Sequence, residues 1–458
     1  MQLGYRMRSA LTVTLITFLQ FSSLLGAEQD VATSGHVVLI SFDGLRPEFY
    51  LDPSWPTPML QTMRREGACA IRARGIFPSV TYPTHTTILT GVFPASHGIY
   101  YNAPFEERGQ TGRWYWQASA ISAPTLWQAA RNAGLETASV FWPVSVGAPV
   151  DWNIPEIWPL DQQQDFLDPI REHARPVGLV EEIEREATGK LSAINFSFGK
   201  LSLDDRSGEM ASYLLTRYQP NLLTLHLIGA DNAQHESGRD GPKVALAVAA
   251  MDRVIARLVE AAESVEILAT TTFIVTGDHG FIDIETEIAP NVWLIEAGLM
   301  EDRPDRGDWH ATVHNTSAAG FVFLADPADH ETLETVLEIL SSQPAAVRSL
   351  YRILDRADLA TLQTAPDAAL ALVPAPGVYI SSRTEGPAIR PRDGASHGHD
   401  PSLAEMHTGF LAWGAGIRPG TEIESIGIEQ IAPLIRDLLG LDLTTPASAP
   451  DILEAPVR

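Results

Sequence analysis

The fold class is indicated first by the stretch HVVLISFDG, residues 36–44. His36–Phe42 is a continuous apolar run that ends at Asp43 and Gly44, which indicates a strand buried on both faces. Comparable apolar runs occur at 221–228 (NLLTLHLI) and 271–276 (TTFIVT), and the segment 243–262 has the spacing of a long amphipathic helix. Buried strands that alternate with such helices predict an α/β fold with a mostly parallel central sheet.

The same alternation continues on both sides of these runs. We expect three further strands, at Thr137–Trp142, Gly320–Leu324 and Thr408–Ala412. We expect three further helices, at Thr57–Glu66, Ala123–Ala133 and Ile428–Leu439. Residues 143–198 and 281–392 lack this rhythm and are predicted to be insertions that cap or flank the site.

Composition excludes one large class of partners. The chain has 458 residues, of which 45% are hydrophobic and 19% charged, and its formal net charge is −25. So negative a surface repels nucleic-acid polymers and anionic membranes. The one cysteine, Cys69, lies in an apolar context and excludes an internal disulfide.

The N-terminus has the pattern of a secretory signal peptide. Arg6 and Arg8 precede an apolar run at 10–25, and a small-residue cleavage site ends at Ala27. We therefore predict a signal peptide at residues 1–27 and an exported protein, periplasmic or secreted, with no stable membrane insertion after cleavage. An uncleaved anchor is the rival interpretation, but the run is short for a membrane span.

Polar residues follow three of the predicted strands. Asp43 follows the first, Asp231 and His235 follow the second, and Asp278 with His279 follows the third. Each alone is explained by a turn or a helix cap. In a parallel sheet, however, all of them converge on one edge.

A fourth segment, GASHGHD at 394–400, adds His397 and His399. Three Asp and three His form a suitable ligand set for two cations such as zinc.

The segment FPSVTYPTHTTILTGVFPASHGIYYN, residues 77–102, contains hydroxyl groups but almost no charge. Pro83–Leu89 (PTHTTIL) has the pattern of a helix that starts at Pro83, and Thr81 precedes it. A hydroxyl at a helix N-terminus gains from the dipole, which favours an alkoxide and a bound phosphate. Two divalent cations, three carboxylates and one alkoxide sum to near neutrality, which leaves the site open to an anionic phosphate ester.

Five motifs, in order, carry a resemblance that spans nearly all of the chain after residue 27. They are VVLISFDGLRPEF, the segment 77–102, ADNAQHESGRDGP, VTGDHGF and ASHGHDP. Together they resemble the alkaline phosphatase superfamily, in particular the type I phosphodiesterase / nucleotide pyrophosphatase family. The resemblance implies an alkaline-phosphatase-like α/β/α sandwich, with residues 28–458 as its catalytic domain.

The resemblance also implies roles for individual residues. One zinc ion would be held by Asp231, His235 and His397, and the other by Asp43, Asp278, His279 and the nucleophile Thr81. Asn102 would donate a hydrogen bond to phosphate, and hydrolysis would pass through a phospho-Thr intermediate.

Some points of this assignment stay open. His397 precedes a glycine, as the family ligand does, and His399 is the alternative. Manganese or mixed metal loading is an alternative to two zinc ions. Thr84 stands where the family often has Asn, and Gly229-Ala230 replaces the usual residues before Asp231, so the substrate pocket differs from the family pattern.

The expected substrate is a small phosphate diester, such as a nucleotide derivative. Monoesters usually need extra cationic clamps, and residues 75–107 contain no Arg or Lys. Arg303, Arg306, Arg383 and Arg390 are the candidate clamps. The alternatives are a phosphonate or phosphomonoester hydrolase, or a non-catalytic binding homologue. The candidate pocket residues are Tyr82, Trp142 and Trp158, with packing of an insertion as the rival role for the tryptophans.

Overall fold

The computed structural model describes residues 35–161 and 163–454. The predicted signal peptide, residues 1–27, lies outside these residues. Within them, no helix has the length and apolar character needed to cross a membrane.

Eight strands of the described residues form the central sheet, and the predicted first strand lies near its middle. Parallel pairing predominates, and only Phe410–Gly414 runs antiparallel to both of its neighbours. The order across the sheet is Thr421–Ile423, Ala68–Ala70, Phe410–Gly414, Thr271–Gly277, His36–Phe42, Leu222–Leu227, Thr137–Val140 and Trp152–Ile154.

Side chains of the central strand alternate between two cores, one on each face of the sheet. Val38 and Ile40 pack in one apolar cluster, and Val37 and Leu39 pack in the other. This alternation follows from the period of two in a strand. Helices cover both clusters, so the predicted α/β/α sandwich is confirmed.

The α-helices of the described residues cover the sheet and the loops around it. They are Glu48–Leu51, Pro58–Glu66, Thr81–Thr90, Pro94–His97, Leu126–Asn132, Asp168–His173, Leu179–Ile183, Leu201–Tyr218, Gly229–Ser237, Pro242–Ser264, Pro290–Glu296, His330–Ser341, Ala345–Arg348, Arg356–Thr361 and Ile431–Leu439. Short 3₁₀ turns lie at Ala118–Ala120, Leu268–Thr270, Ala404–Met406 and Ile428–Gln430, and a π-helical turn lies at Glu184–Thr188.

The segment 281–392 forms small sheets of its own. One has the antiparallel strands Ala311–Thr316, Ala319–Leu324, Leu370–Pro374 and Tyr351–Leu354 in that order. Another has Val378–Ile380, Thr286–Ile288 and Ile389–Pro391. A two-stranded pair joins Ile282–Asp283 of this segment to Ala395–Ser396. Outside the segment, Ile426–Gly427 pairs with Ala73–Arg74.

Several predicted boundaries differ from the observed ones for local reasons. The strand predicted at Thr137–Trp142 ends at Val140, because Phe141 has a left-handed φ of 57°. The helix expected from Pro83 begins two residues earlier, at Thr81, because a proline anywhere in the first turn lacks only an N–H that the helix does not use. Residues 143–198 contain Trp152–Ile154, an edge strand of the central sheet that the sequence pattern did not indicate.

Candidate metal and nucleophile site

Three neighbouring strands end at the candidate site. The central strand ends just before Asp43, and the strand on one side ends just before Asp278 and His279. The strand on the other side leads into the helix that carries Asp231 and His235. The three strands are parallel, so these polar residues meet at one sheet edge.

The first cluster consists of Asp43, Asp278 and His279. The Nε2 atom of His279 lies 3.3 Å from Oδ1 of Asp43 and 3.2 Å from Oδ2 of Asp278. All three of these atoms are buried without a hydrogen-bond partner. Because buried polar atoms normally have partners, three converging orphan atoms fit a bound cation.

The second cluster is built around Asp231. Its Oδ1 atom, also buried without a hydrogen-bond partner, lies 3.3 Å from Nε2 of His235 and 3.6 Å from Nε2 of His397. Potential ligand atoms of Asp231, His279 and His397 lie within 4.8 Å of one another, a group that does not include His235. His279 thus stands between the two clusters, with its ring stacked 3.5 Å from that of His397.

Backbone carbonyl groups orient the three histidine rings. The Nδ1 atom of His235 lies 2.9 Å from the carbonyl oxygen of Ala395, and that of His397 lies 2.9 Å from the carbonyl oxygen of Ser79. His279 makes a similar contact of 3.2 Å with the carbonyl of Gly280. A hydrogen bond donated by Nδ1 leaves the lone pair on Nε2, the tautomer that a metal ligand needs.

The electrostatics of the clusters also fit cations. Burial raises the pKa of Asp43 well above its usual range, and repulsion by Asp231 adds to this. Burial and then repulsion by Asp43 raise the pKa of Asp278 in the same direction. Burial lowers the pKa of His397 to about 4, so its ring is neutral near pH 7. Crowded carboxylates beside a neutral imidazole are a donor set for metal ions.

His399 is placed away from these clusters. It is fully buried, and its Nε2 atom lies 2.9 Å from the carbonyl oxygen of Val378. Of the two histidines that the sequence left open, His397 lies beside Asp231 and His399 does not.

Thr81 and Asn102 line one cleft together with Asp43 of the first cluster and Asp231, His235 and His397 of the second. Thr81 is the first residue of its helix, after the extended Val80. The Oδ1 atom of Asn102 accepts a hydrogen bond of 2.9 Å from the backbone N–H of Tyr82. This contact leaves the NH₂ group of Asn102 as the donor that can face a ligand.

A buried hydrogen-bond chain leads from Asp43 into the segment 143–198. The His226 ring lies 3.2 Å from Oδ2 of Asp43 through Nε2 and 2.8 Å from Oε2 of Glu156 through Nδ1. Tyr82 donates its O–H to Oε1 of Glu156 at 3.0 Å. Burial works to lower the pKa of His226, but the hydrogen bond to Glu156 and attraction by Glu156, Asp278 and Asp204 together raise it. His226 therefore connects two carboxylates.

The cleft has a volume of about 390 Å³ and one aromatic side. We call the side of the cleft lined by Trp114, Trp158 and Phe198 the aromatic lobe. The Trp114 and Trp158 rings lie 5.0 Å apart, edge to face. Of the predicted pocket residues, only Trp158 lines the cleft.

Tyr82 and Trp142 are corrections to the predicted pocket, because both are fully buried. Tyr82 lies behind Trp114, with ring centroids 5.1 Å apart. Trp142 packs in the core against His85, whose Nδ1 atom contacts the Thr81 carbonyl oxygen.

A second cavity of about 340 Å³ adjoins the cleft and shares Asn102, Trp114, His235 and His397 with it. We call this cavity the polar lobe. Its polar wall is formed by Asn315, Ser317, Tyr379, Arg392 and Ser396. None of the four predicted clamp arginines lines the cleft or the polar lobe. Arg303 pairs with surface acids, Arg306 lines a different cavity, and Arg383 and Arg390 bind Glu287.

Sequence reasoning missed Trp114, Glu156 and Arg392. Trp114 lies in an Arg-Trp-Tyr-Trp run only twelve residues after Asn102, an aromatic cluster that could have indicated a pocket wall. No comparable local signal marks Glu156 or Arg392, because their neighbours in space are distant in sequence.

The fold and the site define the class of the protein, an alkaline-phosphatase-like sandwich with Asp/His clusters beside a helix-terminal threonine. Residues 37–400 match the sequence model of the family described as type I phosphodiesterase / nucleotide pyrophosphatase. The chain belongs to this family. The predicted enzyme class, a hydrolase of phosphoric ester bonds, is confirmed at the level of the family.

Individual relatives are distant. The chain is 22% identical to human ectonucleotide pyrophosphatase/phosphodiesterase family member 5, over 88% of this chain and 74% of that protein. It is also 22% identical to human family member 1, over 90% of this chain but only 40% of that longer protein.

Solved structures show the same fold. Human family member 5 aligns with a TM-score of 0.66 at 19% identity, covering 90% of this chain and 97% of that chain. The murine protein, solved as an inactive threonine-to-alanine variant in complex with AMP, aligns with a TM-score of 0.64 at 18% identity over the same shares.

Proposed function

We propose that this protein is a two-zinc phosphodiesterase / nucleotide pyrophosphatase that hydrolyses small phosphate diesters through a phospho-Thr intermediate on Thr81. The observation that carries the proposal is the set of buried orphan atoms of Asp43, Asp278, His279 and Asp231. Of these residues, Asp43 and Asp231 line the same cleft as Thr81. Family membership and the AMP bound to the murine relative support a nucleotide-type substrate.

The proposed chemistry has two displacements at phosphorus. The Oγ1 atom of Thr81 gives up its proton to water and attacks phosphorus, the bond from phosphorus to the leaving oxygen breaks, and the leaving group takes up one proton from water, so that no net proton is consumed. Water then attacks the phospho-Thr, the bond from phosphorus to Oγ1 breaks, a proton of the water returns to Oγ1, and the monoester and free Thr81 are released. Asn102 donates from its NH₂ group to a non-bridging oxygen, and the helix N-terminus favours the negative charge.

The metal ligands are proposed as two sets. Asp43, Thr81, Asp278 and His279 hold one ion, and Asp231, His235 and His397 hold the other. The ions, when bound, would supply Lewis-acid stabilisation of charge on the attacking and leaving oxygens. Manganese or mixed loading would use the same donors.

The catalytic domain is proposed to span 28–458, with 143–198 and 281–392 as capping insertions. Trp158 and Phe198 of the first segment line the aromatic lobe, and Tyr379 and Arg392 of the second line the polar lobe. Export to the periplasm or medium, after cleavage near Ala27, is part of the proposal. N-terminal sequencing of the mature protein tests it, and an intact residue 1 would contradict it.

The decisive variant is Thr81→Ala. We expect it to keep about two zinc ions per chain, measured by elemental analysis, and to lose turnover of p-nitrophenyl thymidine monophosphate by at least about 10³-fold, because the nucleophile is gone. Thr90→Ala, at the other end of the same helix, is the matched control and should remain active. Substantial activity of Thr81→Ala would exclude the phospho-Thr mechanism.

A comparison of three substrates separates the alternatives. We expect bis-p-nitrophenyl phosphate and p-nitrophenyl thymidine monophosphate to be hydrolysed faster than p-nitrophenyl phosphate, since the neutral donor Asn102 suits a singly charged phosphate. A faster monoester would instead support a phosphomonoesterase. No turnover of any substrate by zinc-loaded protein would support a non-catalytic homologue.

A further inference from the structure

The polar lobe is continuous with the cleft but chemically unlike the aromatic lobe. Its wall offers an amide, two hydroxyls, a phenol and a guanidinium, from Asn315, Ser317, Ser396, Tyr379 and Arg392. Because it shares Asn102 and His397 with the cleft, a group that leaves the cleft on this side enters the lobe directly.

Arg392 is held in place while most of its donors stay unused. Its guanidinium carbon lies 3.8 Å from the centre of the Tyr379 ring, and one hydrogen bond of 3.3 Å reaches Oε2 of Glu287. An arginine has five N–H donors, so four remain for a ligand. Stacking on Tyr379 fixes the plane in which these donors point.

Glu287 does not neutralise Arg392. The buried carboxylate of Glu287 also accepts hydrogen bonds from Arg383 and Arg390. Burial works to raise the pKa of Glu287, but the hydrogen bonds from Arg390 and Arg383 lower it to about 2. One negative charge therefore faces three positive charges, and the surplus is available at the edge of the lobe.

Arg392 is also the one arginine at this place. Among the described residues that line the cleft or the polar lobe, it is the only Arg or Lys. Its acidic neighbour in sequence, Asp393, does not line the lobe. In a chain of net charge −25, a permanently charged guanidinium directs where a negatively charged substituent can lie.

We propose that the polar lobe is a subsite for a second anionic group of the substrate, a phosphate or pyrophosphate on the leaving-group side, and that Arg392 selects it. This inference rests on the proposed function. A diester has two substituents, and the two lobes then take one each, the aromatic lobe an aromatic or apolar substituent and the polar lobe an anionic one. Guanidinium groups bind phosphate oxygens through paired hydrogen bonds.

A matched pair of substrates tests the subsite. Thymidine 5′-triphosphate and p-nitrophenyl thymidine monophosphate share the nucleoside and differ in whether the other substituent is anionic. The quantity to compare is kcat/KM for the triphosphate divided by kcat/KM for p-nitrophenyl thymidine monophosphate. For Arg392→Gln, we expect this ratio to fall at least about tenfold, the size of one lost charge-assisted contact. Arg392→Lys should lie between, since it keeps the charge without the paired donors.

Arg390→Gln is the control, because Arg390 binds the same Glu287 but does not line the lobe. We expect the wild-type ratio for this variant. Thermal midpoints of all three variants show whether they fold. A wild-type ratio for folded Arg392→Gln, or an equal loss with both substrates, overturns the subsite; the second result would place Arg392 on the reacting phosphate itself.

Binding separates this inference from the proposed reaction. In Thr81→Ala protein, calorimetry should show that Arg392→Gln weakens thymidine triphosphate about tenfold and thymidine monophosphate less than about threefold. Equal weakening, or none, overturns the subsite whether or not the enzyme turns over. If the binding difference is found but the wild-type protein hydrolyses neither substrate, the proposed reaction is refuted and the subsite is still supported.

Discussion

At the scale of single residues, Glu156 is set apart by its burial and its partners. It is a buried carboxylate that accepts hydrogen bonds from His226 and Tyr82, and His226 in turn contacts Asp43. Since one oxygen of Asp43 is occupied by His226, the other, the orphan Oδ1, is turned toward His279. Glu156 thus positions a proposed metal ligand that it does not touch.

Replacing Glu156 should change zinc binding. We expect Glu156→Leu to weaken zinc affinity by about 10- to 100-fold, because His226 loses the acceptor that orients it against Asp43. Glu156→Gln keeps an acceptor and should lose much less. Chelator competition on purified protein measures the affinity without any substrate. Wild-type zinc affinity in the Glu156→Leu variant would show that the hydrogen bonds through Glu156 and His226 do not position Asp43.

The residues that the sequence could predict are those that follow strands directly. Asp43, Asp278 and Asp231 were expected to meet because parallel strands share an edge, and the structure brings them together. Glu156 and Arg392 depend on how irregular segments return to that edge, which no periodicity encodes. Tyr82 and Trp142 were misplaced because an aromatic residue near a site can equally pack behind it.

At the scale of elements, the helix Leu201–Tyr218 is connected to the site helix Gly229–Ser237 through Asp204. The buried Asp204 carboxylate accepts hydrogen bonds of 2.9 and 2.8 Å from the backbone N–H groups of Ile228 and Gly229. These donors belong to the start of the helix that carries Asp231. A carboxylate at this point satisfies two N–H groups that the helix leaves free.

Asp204→Ala should destabilise the protein by about 2–3 kcal/mol, because two buried N–H groups lose their acceptor. The neighbouring Asp205→Ala, at a less buried position, should change the free energy of unfolding by less than about 0.5 kcal/mol. Urea unfolding measures both. Equal effects of the two substitutions would contradict the role given to Asp204.

The sequence predicted the long apolar helices and missed Leu201–Tyr218. Its buried face includes Asp204, Ser207 and Gly208, which interrupt the apolar stripe. Gly208 is small for a reason, since a Cβ atom there would lie 2.7 Å from Val254 of the helix Pro242–Ser264. Close helix packing and a buried cap replace side-chain hydrophobicity, and neither shows in a hydrophobic pattern.

At the scale of the whole molecule, three carboxylates are concentrated in one buried edge of a protein whose net charge is already −25. Removing the proposed zinc ions with a chelator should therefore lower the thermal midpoint by roughly 10 °C, and adding zinc back should restore it. Asp278→Asn removes one of the repelling charges, so chelation should shift its midpoint less. Identical midpoints with and without chelator would contradict a structural contribution of the ions.

The architecture was predictable because burial alone specifies it. Strands such as His36–Phe42 are apolar on both faces, and only a sheet covered by helices on both sides buries them. The short strands of 281–392 could not be assigned in the same way, because small antiparallel sheets need few apolar residues per strand.

The edge strand Trp152–Ile154 has a consequence for engineering this protein. Glu156 follows it by two residues and Trp158 by four, so the pairing of Trp152 with Ala138 fixes where both side chains arrive. A design that replaces the aromatic lobe with one from another protein must therefore keep the three-residue pairing of this strand in register. A slip by one residue would turn each side chain to the opposite face, removing the stacking surface and the support of Asp43 together.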